Sequence, residues 1–222
     1  MTTKAPTPSP THTTRDRLIS AMLGALRTRG YHGVGLNELL ATAGAPKGVL
    51  YHHFPGGKAE LAVAAINAVV AHLCADLDKL LARDADPVLA LGAWMASAQK
   101  GLEKSGFDKG CPLATVALES TSEDEAIRLA LAEGFEAIRA RLATVLQRAG
   151  MKAAAARACA ALIVSAYEGA LIQARVAGNS QPMRDASAAL VAMVQLSLLD
   201  SAKGSTKDSP KASTKASAKS TR

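Results

Sequence analysis

Apolar residues recur along most of this chain at intervals of three and four, and no window alternates apolar and polar residues as a strand would. Leu18, Ile19, Met22, Leu23 and Leu26 form one such stripe, which predicts a helix over residues 14–29 stopped by Gly30. A short helix over residues 36–43 ends at Gly44. The next starts at Pro46, where a missing N–H costs nothing, and closes at Pro55-Gly56-Gly57. A long helix follows over residues 58–81. Five more are legible: from Asp86-Pro87 to near Gly106, from Cys111-Pro112 to near Ser120, then residues 125–150, 152–177 and 182–199. Ser122-Glu123-Asp124-Glu125 reads as a capping box for the first of those last three. The fold class expected is all-α.

Composition agrees with that pattern. Alanine, the best helix former, accounts for 47 of the 222 residues. The longest run without a charge, residues 61–75, contains Asn67 and His72, so no segment is expected to span a bilayer and no membrane partner is expected. Cys74, Cys111 and Cys159 lie far apart without C-x-x-C spacing, which suggests a reducing, cytoplasmic compartment. The opening residues are rich in Pro, Thr and Ser, lack the apolar stretch of a secretory signal, and are expected to be disordered through residue 13.

Charge divides the chain further. Residues 1–67 hold seven Lys/Arg against three Asp/Glu, residues 68–200 hold 13 against 15, and residues 201–222 hold six against one. The basic ends suggest a polyanionic partner for the ends alone. After Asp200 the sequence turns low in complexity, with lysines at 203, 207, 211, 215 and 219. Gly204 and Pro210 interrupt it and like charges four apart repel, so disorder is expected over 201–222.

Two short helices about a Gly-centred turn have the layout of a helix-turn-helix. At about 100° per residue, Leu50 and Phe54 share one side of the second of these helices. Gly48 and His52 then lie opposite, flanked by Val49 and Tyr51. A rod of about 12 Å matches the width of a major groove. Gly48 allows the backbone close to DNA, and Lys47 adds charge where the helix dipole already favours phosphate. Pattern alone leaves an ordinary helical hairpin open.

The run GVGLNELLATAGAPKGVLYHHFPGGKAEL resembles the DNA-binding domain of the TetR family of bacterial repressors. The Ala-Gly turn, the Lys-Gly-x-Leu-Tyr-x-His-Phe helix and the Lys that opens the fourth helix carry the likeness. GAPKG…HFPGGK and GCPLATVALES are similar to its LmrA-like branch. The chain departs from the family at Leu40 and Ala45, which exchange the usual sizes. It also has one extra residue between Phe54 and Lys58. The resemblance implies a DNA-binding domain over 14–62 and an effector-binding, dimerising domain over 63–200. It implies Lys47, Gly48, Val49 and His52 at base edges of a double-stranded operator, and Tyr51, His53 and Lys58 at phosphates. Asn37 stands near the point where the family has a phosphate-binding Thr or Ser.

An effector pocket among the central helices would be lined by the four aromatics there, Trp94, Phe107, Phe135 and Tyr167, with Met95 and Glu168 as weaker candidates. Ordinary core packing is the alternative for each. Residues 152–177 and 182–199 are apolar nearly all round, which fits a homodimeric four-helix bundle as well as burial within one subunit. No catalytic constellation, metal-ligand spacing or cofactor motif stands out, so an enzyme is not expected. Cys111, before a Pro at a helix start, is either a thiolate sensor or an inert buried thiol. Thus the sequence points to a ligand-responsive repressor. A non-specific nucleoid-type DNA binder and a helical small-molecule-binding protein are the rivals.

Overall fold

A computed structural model describes residues 13–83 and 86–207 of the chain. Those residues form nine helices: α1 (Thr14–Thr28), α2 (Leu36–Ala43), α3 (Lys47–His53), α4 (Gly57–Arg83), α5 (Pro87–Lys104), α6 (Pro112–Glu119), α7 (Glu125–Arg148), α8 (Ala153–Ala177) and α9 (Gln181–Lys207). The expected N-terminal disorder over 1–12, and residues 208–222 of the lysine-rich segment, lie outside the described residues. Residues 201–207 differ from expectation, because they continue α9 as helix. Ser201 Oγ there donates to the Ser197 carbonyl at 2.9 Å, a bond to the preceding turn that lets serine persist in a helix.

Local chemistry sets the ends. Thr13 caps α1 in a reciprocal box with Asp16, satisfying two amides that the first turn leaves unpaired. Asp86 caps α5 through the Val88 amide, with Pro87 at the first helical position. The box expected at residues 122–125 does not form. Asp124 is the cap residue of α7, and its carboxylate turns back to accept from the Thr121 amide (2.8 Å) and hydroxyl (3.0 Å).

The helices pack around α4, which touches α1 and α6 as well as α5 and α7. Its buried residues Leu61, Ala62, Ala65, Ile66, Val69 and Val70 recur at helical spacing and belong to one continuous core. α1, α2 and α3 form the N-terminal layer, while α7, α8 and α9 pack in succession with α5 closing against α9. On length and mean hydropathy alone, α4, α8 and α9 could each cross a membrane, which corrects the expectation from the uncharged runs. The discrepancy arises because alanine raises mean hydropathy over windows that still hold isolated charges.

The α4–α7 contact depends on a glycine. A Cβ added to Gly134 would lie 2.6 Å from Val70 Cγ2, so the two helices approach more closely than any side chain at 134 permits. Overpacking at such a contact costs about 1–3 kcal/mol. Gly134→Val should therefore lower the unfolding free energy by an amount in that range, read as a lower denaturant midpoint, and a midpoint equal to wild type would show that the contact is loose.

Candidate nucleic-acid interface and effector cavity

The turn between α2 and α3 is made by Gly44, whose φ of 57° lies in the left-handed region. It swings α3 across the N-terminal layer. Leu50 and Phe54 go fully into the core with Ala45 beside the turn, while Lys47, Gly48, Tyr51 and His52 stand exposed and Val49 and His53 are half-buried. The side of α3 away from the core therefore carries one cation, one bare backbone position and two rings that can donate hydrogen bonds. Pro46 is the N-cap and makes no side-chain cap bond, and Lys47 stands exposed beside it. Asn37 is exposed in the first turn of α2, behind a Gly35 cap that makes no side-chain bond.

Two arginines that sequence reasoning missed flank this helix. The Arg15 guanidinium lies 5.3 Å over the Phe54 ring at the end of α3, and Arg17 Nη1 lies 3.6 Å from where a Cβ on Gly44 would sit. Both are exposed. Only the fold brings the start of α1 beside both ends of α3.

Lys58 is placed differently from its expected phosphate contact. Its Nζ donates to the Tyr31 carbonyl at 2.7 Å and lies 4.3 Å from the centre of the Tyr31 ring. Burial pulls its pKa below that of an ordinary lysine, and the charges of Glu119 and Asp124 oppose that fall. Glu119, the last residue of α6, accepts from the Tyr31 amide and from the His32 amide (3.3 Å). His32 Nε2 meets Asp124 Oδ2 at 2.9 Å. The α1–α2 turn is thus held at once by α4, α6 and the start of α7. Gly30, with φ of 73°, leaves room for the Glu119 carboxylate.

A cavity of about 490 Å³ opens between α1, α4, α5, α6 and α8. Trp94 and Tyr167 both line it and are stacked, ring centres 4.3 Å apart and planes 20° from parallel. Phe107 and Phe135 do not line it. Phe107 occupies the turn after α5 with φ of 66°, and both pack half-buried against the core. Met95 is buried in the core without reaching the cavity. Cys111, on the wall, donates from Sγ to Glu168 Oε1 at 3.1 Å. Burial and the neighbouring Glu168 push that thiol far above its ordinary pKa, outweighing the Ala114 and Leu113 amides at the start of α6. Cys111 is consequently a protonated thiol, not a thiolate. Burial likewise raises Glu168 to about 7, and its Oε2 has no hydrogen-bond partner.

Taken together, an outward helix after a glycine turn and an open cavity among the central helices define a helix-turn-helix DNA-binding protein with a helical ligand domain. Residues 18–65 match the family described as "Bacterial regulatory proteins, tetR family", and residues 87–189 match "Transcriptional regulator LmrA/YxaF-like, C-terminal domain". The chain belongs to the TetR family of transcriptional regulators, with an LmrA/YxaF-like C-terminal domain. It is similar to the HTH-type transcriptional regulator LmrA of Bacillus subtilis, 27% identical over 76% of this chain and 90% of that one. YxaF of the same organism is 28% identical over 76% and 88%. Among solved structures, a TetR regulatory protein from Rhodobacter sphaeroides superposes with a TM-score of 0.71 at 27% identity, covering 80% of this chain and 97% of that one.

The buried carboxyl has a consequence for stability. Glu168 has a folded pKa raised from 4.5 to about 7, so its charged form is disfavoured in the fold. Stability is lost as pH rises from the unfolded toward the folded value, amounting to on the order of 3 kcal/mol above it. Glu168→Gln should remove that slope. The variant's melting temperature should gain on wild type from pH 5 to about pH 7 and then level off; a pH-independent difference would disprove the shift.

Proposed function

We propose that this protein is a cytoplasmic, ligand-responsive transcriptional repressor. It binds a palindromic operator as a homodimer and is released by a small, largely apolar effector. The observation that carries the reading is the division of α3 between a core side, Leu50 with Phe54, and an outer side, Lys47, Gly48, Tyr51 and His52. Lys47, Gly48, Val49 and His52 approach base edges, and Tyr51, His53, Arg15 and Arg17 hold phosphates on either side. Lys58 is assigned a positioning role, since its ammonium is already engaged with Tyr31. Asn37 remains a backbone contact at the start of α2.

Dimerisation is supported by apolar residues that one subunit leaves uncovered. On α8, Leu162, Ile172 and Val176 are exposed along one face with Ser165 and Gly169 between them. On α9, Leu196 (63% exposed) and Leu199 continue a stripe that begins at Ala189 and Ala192. A second copy packing its α8 and α9 on these faces buries both stripes in a four-helix bundle. Leu190, by contrast, is buried within the subunit and belongs to the core. Two recognition helices then reach half-sites about 34–36 Å apart, one turn of DNA. The cavity beside Trp94 and Tyr167 receives the effector, and Glu119 ties its wall to the α1–α2 turn. Since the two sites are coupled, operator and effector must weaken each other's binding equally.

Fragments selected from random DNA by the purified protein, then sequenced, test the reading. A palindromic consensus is expected, and enrichment without a consensus would favour a non-specific nucleoid-type binder. Arg15→Ala and Tyr51→Ala should each weaken binding to operator and random DNA by similar factors, and Arg15→Ala, which removes a charge, should also reduce the salt slope by about 1. An unchanged slope would remove Arg15 from the phosphate contacts, and unchanged affinity would remove Tyr51. Leu196→Glu should yield folded monomers by light scattering that no longer bind the operator, and a persistent dimer would exclude this face from the interface.

A further inference from the structure

The cavity is not walled by the ligand domain alone. Arg27, from the last turn of α1, lines it. This arginine is half-buried, and no carboxylate pairs with it among the described residues. At a helix C-terminus a cation gains some stability from the helix dipole, which accounts for its presence. That gain does not account for its direction, into a cavity and toward the Tyr167 phenol, whose burial-raised pKa it opposes.

The charges around it are unbalanced. Asp76 is the acid on the lining, and it is already engaged by His72 (3.1 Å) and Lys79 (3.0 Å). Lys109 stands exposed on the lining. Arg175 approaches the lining residue Gly110, its Nη1 3.6 Å from where a Cβ would sit. Glu168, which contacts Cys111 behind the wall, is largely protonated below pH 7, so it cancels little of this field there. A half-buried guanidinium beside stacked rings suits a planar acid: the rings take the flat body and the guanidinium takes two carboxylate oxygens.

We propose that the effector is a planar aromatic carboxylic acid whose carboxylate docks on Arg27 while its ring system packs against Trp94 and Tyr167. The inference rests on the reading of this cavity as the effector site. It gives the effector a direct hold on the DNA-binding domain, because the residue that binds the acid is part of α1. That hold is independent of the route through Glu119 at the end of α6.

The test is calorimetric titration of the full chain with matched pairs of planar acids and their primary amides: 2-naphthoate with 2-naphthamide, cinnamate with cinnamamide, and benzoate with benzamide. Fluorescence of Trp94, the chain's only tryptophan, places a bound compound in the cavity. Within pairs that bind, the acid should bind about tenfold or more tightly than the amide, the difference expected of a charge-assisted hydrogen bond. Arg27→Gln should erase that preference by weakening the acid and leaving the amide unchanged, and Arg27→Lys should restore part of it. Arg27→Lys should melt as the wild type does, and Arg27→Gln should lose only the small dipole contribution of the cation. Acid and amide binding alike, or a preference that survives in Arg27→Gln, overturns the inference and leaves the effector cavity standing. If no compound of either kind binds or perturbs Trp94, the effector reading of the cavity fails, and the inference with it.

Discussion

The α4 helix is the beam on which both halves of the molecule hang. Its buried stripe from Leu61 to Leu77 has to satisfy the DNA-binding layer on one side and α7 on the other. Such a helix cannot shift at one end without repacking at the other, since a close-packed core tolerates few intermediate positions. The close approach at Gly134 and Val70 fixes the middle of α4 against α7. The near end carries Lys58, which is tied to the carbonyl of Tyr31. The orientation of α3 is therefore decided by packing that begins in the ligand domain.

The polar contacts at the α1–α2 turn complement that beam. Glu119 takes two backbone amides, and Asp124 holds His32, so the end of α6 and the start of α7 grip the same few residues. A carboxylate on two amides is a directional restraint, whereas apolar packing is not. The end of α6 and the start of α7 are thus linked directly to the turn that leads into α2. Arg27 enters the cavity from the same helix that ends at this turn.

Much of the helical order was legible because each boundary has a local cause. Gly44 needs a left-handed backbone, Pro46 and Pro87 suit a helix start, and Gly178 ends α8 in the same conformation as Gly44. The inward turn of Leu50 and Phe54 followed from helical spacing alone. The misreadings have local causes as well. The box expected of Ser122 and Glu125 does not form because Asp124 itself is the cap residue of α7, its carboxylate holding Thr121 and His32. The α9 helix ran on past Asp200 because serine can bond to its own preceding turn, a choice that composition does not reveal.

What the sequence determined by itself was the set of helices, the helix-turn-helix and its outward residues, since these depend on spacing and turn chemistry within a few residues. What only the tertiary structure decided was which distant residues meet. Trp94 and Tyr167 stack on each other in the cavity wall, while Phe107 and Phe135, equally aromatic in the sequence, do not reach it. Lys58 bonds the Tyr31 carbonyl, Arg15 and Arg17 flank α3, and Cys111 meets Glu168. The physical reason is that helical periodicity reports which face of a helix is buried but not what buries it. That partner is chosen by the packing of whole helices against one another.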